Sequence, residues 1–195
     1  EKLVPFYEIA KQMLGAVPAE YEGETDKLLK DCADYMGRGN TYHKVDVGVY
    51  FGKAGETVDD PYFDGKGPAR SGCTLCGGCM VGCRFNAKNT LDKNYLYLAE
   101  KLGVEILPEQ EVQDIRVLPD GDYQLTIRKS TGIKRPTQKL QTQKVILSGG
   151  VMGTVKLLMK CREKGNLTNI SGKLGDFVRT NSEAIIGVKL KKTPK

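Results

Sequence analysis

Four cysteines, Cys73, Cys76, Cys79 and Cys83, stand within eleven residues in the run CTLCGGCMVGC. Thiolate sulfur is a soft ligand, and C-x2-C-x2-C-x3-C is a spacing by which ferredoxin-type chains hold iron–sulfur clusters. Zinc is the alternative metal, although structural zinc sites more often use two separated cysteine pairs. Two further readings need no metal: reduced thiols, as in a cytosolic protein, pack as small apolar groups, or the thiols pair as disulfides. Gly77, Gly78 and Gly82 suit either outcome, since they let the backbone turn tightly enough to gather sulfurs or to bury them. In two-cluster ferredoxins the fourth cysteine of such a run serves the other cluster, and here Arg84 replaces the proline that usually follows it. A single cluster would use Cys73, Cys76 and Cys79, completed by Cys83, Cys32 or Cys161.

A second stretch with chemical potential is Ser148-Gly149-Gly150-Val151-Met152-Gly153-Thr154, which precedes the helical VKLLMKC. Strand, glycine turn and helix form the context in which backbone approaches a nucleotide closely. Ser148 takes the place of the usual first glycine, so the fingerprint is incomplete. His43 is the sole histidine, and it lies in a polar loop with no carboxylate partner in view.

The elements that position these residues are legible from spacing. Leu3, Phe6, Ile9 and Met13 predict a helix over residues 3–14, stopped at Gly15. A second helix is expected after Thr25 as its cap, running to Gly37. Residues 39–72 are rich in Gly, Asp and Pro, with one alternating strand at Val45, Val47, Val49 and Phe51. After the cysteines, Asn89 is the expected cap of a helix carrying the stripe Leu91, Tyr95, Leu98 and Leu102. Gly103 ends it, and residues 104–107 read as a short strand of a parallel unit. Three antiparallel strands follow, over about 111–117, 123–128 and 140–147. The first two are joined by the turn Pro119-Asp120-Gly121-Asp122.

At 195 residues, 39% apolar and 28% charged, the composition suits a globular protein. No apolar run reaches the roughly 18 residues of a membrane span. The net charge of +6 is scattered rather than massed in a stripe with aromatics, which argues against nucleic-acid binding. Glu1 already lies inside a helical pattern and VKLKKTPK follows a strand without closure, so a segment of a longer chain is expected, inactive by itself.

Several segments in order resemble the glucose–methanol–choline family of flavin oxidoreductases, in particular its cholesterol-oxidase-like branch. They are VGVYFG (47–52), DPYFDGKGPARSGC (60–73), CGGCMVGCRFNAKNTLDKNYLYLAE (76–100), VILSGGVMGTVKLL (145–158) and LGDFVRTNSEA (174–184). The resemblance implies a mixed α/β fold, the central part of an FAD-binding Rossmann-like domain with an antiparallel meander. Residues 1–103 would form a helical, loop-rich insertion carrying the cysteines, and residues 104–195 part of the FAD-binding domain. It further implies FAD as cofactor, a small-molecule alcohol as substrate and a separate electron acceptor. Val112 would offer backbone hydrogen bonds to the adenine of FAD, with Ser148, Gly149, Gly150, Gly153 and Thr154 packed against the cofactor. The family's own phosphate-binding turn and catalytic histidine have no counterpart within this sequence. Arg179, Asn181 and Glu183 fall in a family-like segment near the substrate, or form a solvated rim.

Overall fold

A computed structural model describes residues 2–181 and Gly187. The chain divides into two compact units with the boundary between Ile106 and Leu107. The fold is mixed α/β: small antiparallel sheets and, among the described residues, four α-helices.

In the first unit, α1 (Val4–Leu14) ends as its sequence demands. Gly15 adopts φ +55° and donates its N–H to Gln12 O at 3.0 Å. A side chain there would collide with Asn89 and Tyr62, so glycine is required for space as well as for handedness. Strand β1 (Ala16–Pro18) pairs antiparallel with β2 (Asp46–Gly48). Helix α2 (Glu24–Tyr35) starts one residue before the expected cap. Asp26 supplies the capping bond instead, accepting from the Gly23 N–H at 2.8 Å. A two-residue ladder joins β3 (Thr57–Val58) to β4 (Arg70–Ser71), and α3 (Tyr95–Lys101) begins behind Asn94. Asn94 Oδ1 accepts from the Tyr95 N–H, so the cap expected at Asn89 is made five positions later. Asn89 is spent elsewhere, as described below.

The second unit is a meander, β5 (Gln110–Val117), β6 (Tyr123–Lys129) and β7 (Thr137–Thr142), in sheet order β5-β6-β7. The expected turn holds the hairpin: Leu118 N–H donates to Asp122 O at 2.8 Å, and Gly121 takes φ +89°. Helix α4 (Gly150–Glu163) packs against β5. Its core is Ile115, Cys161 and Leu167, all buried, surrounded by Val112, Leu125, Leu157 and Leu158.

One expected strand does not form and another is displaced toward the N-terminus. Residues 104–107 make no ladder, and β7 stops at Thr142, leaving Val145, Ile146 and Leu147 outside any strand. Both segments have strand-like side chains, but a strand exists only where another backbone takes its N–H and C=O groups. Among the described residues none lies across from them.

Candidate functional site

In the second unit, the unpaired 145–149 segment, β5 and the start of α4 enclose a cleft of about 380 Å³. Val112, Ser148, Gly149, Gly153 and Thr154 all stand on its wall, with Gln110, Ile115, Leu125, Leu147 and Leu157. Five of the six positions picked out as cofactor-facing thus meet at one cavity. Gly150 does not line it. Its φ of +67° turns the chain into α4, and its Cβ direction is open.

The glycine turn is shaped for close approach. A Cβ on Gly149 would sit 3.4 Å from Thr154 Oγ1, whereas one on Gly153 would meet nothing within 4 Å. Gly153 therefore presents open backbone on the cleft wall. No side chain caps the first turn of α4, and no acidic residue lies in it. Its N–H groups and the positive end of the helix dipole remain available to polar or anionic matter. Apolar walls, a bare glycine and an uncapped helix start fit part of an FAD molecule.

A polar triad fastens the two walls. Asp114 accepts from Asn166 Nδ2 at 2.7 Å and from the Cys161 thiol at 3.4 Å, with Lys164 Nζ 3.5 Å away. Cys161 Sγ in turn accepts the Ile115 N–H at 3.3 Å. Burial pushes the Asp114 carboxyl up, but Asn166, Cys161 and Lys164 outweigh it and hold it below the usual value. Burial, with Asp114 alongside, pushes the Cys161 thiol up against the opposing Ile115 N–H.

The first unit is organised around Arg70, which is 1% exposed. Its Nε donates to Asn86 O at 3.1 Å, its Nη2 to Lys88 O at 2.8 Å, and its Nη1 to Asn89 Oδ1. Backbone bonds from Tyr50 N to Ala87 O (2.8 Å) and from Asn89 N to Gly48 O (2.7 Å) close the same region. Asp60 ties the preceding loop, accepting from Tyr62 N (3.0 Å), Phe63 N (3.0 Å) and Gly67 N (2.8 Å). Beside this framework lies an apolar cleft of about 570 Å³, lined by Tyr21, Val47, Val49, Phe51, Leu75 and Met80, with Cys79 and Lys88 at its edge.

The cysteines do not converge. Among the described residues no three Cys, His, Asp or Glu side chains gather closely enough to hold a metal. The expected ligand set Cys73, Cys76, Cys79 and Cys83 is not gathered around a common centre here. Left-handed Leu75 (φ +54°), Gly77 (+70°) and Gly82 (+105°) cut the run into separate turns. Cys73 Sγ accepts from Leu75 N–H and Cys83 Sγ from Ala87 N–H, each at 3.4 Å. Cys79 borders the apolar cleft, while Cys76 is exposed beside Val81 and Phe85 in another hollow. Burial pushes the Cys83 thiol up, but the N–H groups of Lys88, Ala87 and Phe85, with Arg70 nearby, bring it below its ordinary value.

His43 is exposed, its Nδ1 3.1 Å from Thr41 O. Arg179 and Asn181 are exposed, and Glu183 lies outside the described residues. Sequence reasoning missed Arg70, Asp60 and Gln110. Only Asp60 carried a local signal, Asp-Pro followed by closely spaced glycines, which marks an aspartate-closed turn.

Residues 68–166, just over half of the chain, match the family model GMC oxidoreductase. The chain belongs to the GMC oxidoreductase family. Among curated proteins it is similar to a cholesterol oxidase of Mycobacterium tuberculosis, at 43% identity over 192 residues. That match covers 95% of this chain and 33% of the relative. A cholesterol oxidase of Acinetobacter baumannii is 42% identical over 193 residues, covering 94% of this chain and 35% of the relative. The chain spans about a third of the length of these relatives. No helix among the described residues is long and apolar enough to cross a membrane.

Proposed function

We propose that the full-length protein is an FAD-dependent oxidoreductase that oxidises the CH–OH group of an alcohol, with a sterol as the favoured donor. The observation that carries this reading is the meeting of Val112, Ser148, Gly149, Gly153 and Thr154 at one cleft, within a chain of the GMC family. The sterol preference rests on the similarity to cholesterol oxidases and on the apolar character of the first unit's cleft. FAD, when bound, supplies the hydride acceptor. The residues of this chain bind and orient. The glycine turn lets backbone lie flat against the cofactor, and the α4 start offers N–H donors. The apolar walls exclude water. His43 is exposed and lines neither cleft, and this reading gives it no part in taking the hydroxyl proton. In this reading residues 104–195 belong to the FAD-binding domain and residues 1–103 to an insertion upon it.

The test is a visible spectrum of the purified full-length protein, before and after anaerobic addition of cholesterol or of a short-chain alcohol. A yellow protein bleached by the sterol is expected. Absence of bound flavin, with no alcohol-dependent reduction of added FAD, defeats the proposal. A brown or a colourless protein would instead revive an iron–sulfur or a zinc role for the cysteines, which no observation here favours.

A further inference from the structure

Val112 and Ile115 both stand on the wall of the second unit's cleft, although they are three residues apart. In an unbroken strand that spacing sends side chains to opposite faces. Here the pairing of β5 with β6 shifts between Val112 and Asp114, so Gln113 is an extra residue in the ladder. Val112 then pairs with Ile127 and Ile115 with Leu125, two positions apart on β6 and therefore on one face. Without the bulge, Ile115 would turn away from the cleft.

Beyond the bulge, the end of α4 holds the outer edge of β5. Ile115 N–H donates to Cys161 Sγ and Val117 N–H to Asn166 O, each at 3.3 Å. Asp114 ties both acceptor residues together. Its carboxylate accepts from the Cys161 thiol at 3.4 Å and from Asn166 Nδ2 at 2.7 Å, with Lys164 Nζ 3.5 Å away. A thiol has one proton, and giving it to Asp114 leaves the sulfur lone pairs for the Ile115 N–H. Cys161 follows Gly153 and Leu157 on α4 at steps of four, so it continues the helix face that lines the cleft. Asp114 itself does not line the cleft.

We infer that Asp114 is a positioning residue for cofactor binding. By holding the Cys161 thiol and the Asn166 amide, it fixes the bulge in β5 and the rotation of α4. Ile115, Leu157, Gly153 and Thr154 are thereby set around the cleft. Gly153 is about 12 Å from Cys161 along the helix, at 1.5 Å per residue, so a rotation at one end reaches the other. The inference rests on the FAD reading above, because FAD is the ligand whose affinity reports the cleft.

The test uses full-length apoprotein of the wild type, Asp114→Asn, Cys161→Ala and Cys161→Ser. Flavin fluorescence gives the affinity for FAD, and hydrogen exchange of the ligand-free proteins gives the protection of residues 150–157. Asp114→Asn keeps the size of the side chain but removes its charge-assisted bonds, and affinity should fall about tenfold. Cys161→Ala should lose a similar amount, and Cys161→Ser, whose hydroxyl both donates and accepts, should recover most of it. Exchange at 150–157 should quicken in Asp114→Asn and Cys161→Ala. A merely local role would quicken exchange only at 113–117 and 160–166 and leave FAD affinity at the wild-type value. That result overturns the inference and leaves the flavoprotein reading intact. If the wild type binds no flavin, that reading fails and exchange decides: faster exchange at 150–157 in Asp114→Asn sustains the positioning role, and unchanged exchange overturns it. Should Asp114→Asn not fold, Cys161→Ala with wild-type affinity and wild-type exchange at 150–157 overturns it.

Discussion

The two units of this chain are held together by different physics. In the second, regular ladders and a small apolar core of Ile115, Cys161 and Leu167 do the work, with one polar triad at the edge. In the first, neither α1 nor α2 buries a residue completely, and Phe6, Tyr7 and Ile9 are more than half exposed. Among the described residues its buried side chains are Arg70 and Asn94, beside only Val49 and Ala87 among the apolar ones. A charged side chain there replaces the core as the organising element. Apolar packing tolerates gradual change, because each contact is small and neighbours relax. A buried guanidinium does not, since each carbonyl it releases is left without a donor. The first unit should therefore fail abruptly and the second gradually.

The largest expected effect is at Arg70. Arg70→Met strands Asn86 O, Lys88 O and Asn89 Oδ1, at a cost of about 3 kcal/mol or more. Limited proteolysis of the full-length protein should then cut near residues 73–83 about a hundredfold faster, while the meander stays protected. Arg70→Lys should recover little, because a point charge cannot reproduce the fork. Gly72→Ala probes the same region from the backbone, where its Cβ would collide with Lys53 O. Selective loss of the meander in either variant would break the comparison.

Acid separates the units on a finer scale. Burial pushes the Asp60 carboxyl up, but N–H bonds from Gly67, Tyr62, Phe63 and Gly65 outweigh it and hold it below its ordinary value. A carboxyl depressed in the folded state contributes stability above its unfolded value, about 4, and loses it as pH falls through the folded one. Asp60→Asn should cost about 1–2 kcal/mol at neutral pH, since a neutral amide accepts these bonds less strongly. It should also abolish the part of the acid sensitivity that belongs to residues 60–67. Asp114 has the same sign in the second unit, so that unit's acid response should persist in Asp60→Asn. Hydrogen exchange at pH 7 and pH 3, read separately for each unit, checks both statements.

This division also explains what was legible in the sequence. Helix α1 with its stop at Gly15, the hairpin at 119–122, the meander order and α4 all come from patterns written over neighbouring residues: periodicity, turn chemistry, a glycine at a left-handed position. The Arg70 clamp reaches carbonyls 16 and 18 positions away, and a backbone carbonyl has no residue identity to read. Cysteine spacing says little about where the thiols face for a related reason. It records how far apart the thiols lie along the chain, whereas the left-handed turns at Leu75, Gly77 and Gly82 decide where each one faces. The candidate cofactor positions were named through family resemblance rather than physics, and the buried oxygen of Gln110 was not foreseen, because a glutamine at a strand start looks solvent-bound.

Thiol chemistry offers a smaller but cleaner contrast. Cys161 is fully buried with its thiol pushed up, whereas Cys83 is half-buried with its thiol pulled down. Since the thiolate is the nucleophile, iodoacetamide at neutral pH should label Cys83 in the native protein and reach Cys161 only on unfolding. Cys161→Ala should cost about 1–2 kcal/mol, from the lost packing volume and from the Ile115 N–H left without its acceptor. That loss should be confined to the second unit. Native-state labelling of Cys161 at the rate of Cys83 would show that the apolar core is looser than its geometry.

The smallest expected effect on stability is also the one that best separates scaffold from site. Gly153 lies within α4, and a methyl group built there meets nothing within 4 Å. Within this chain alone, Gly153→Ala should stabilise the helix by roughly 0.5–1 kcal/mol, because alanine loses less backbone entropy than glycine. The open direction, however, belongs to a residue on the cleft wall. If FAD lies against that backbone, the added methyl competes for its volume, and affinity should drop by about tenfold while the ligand-free protein melts higher. The two signs are opposite, so a trivial folding defect cannot mimic the result. Unfolding temperature with and without FAD, measured on the full-length variant, reads both at once. A variant that is stabilised and binds FAD unchanged would place the cofactor away from Gly153 and leave this glycine as a feature of the turn alone.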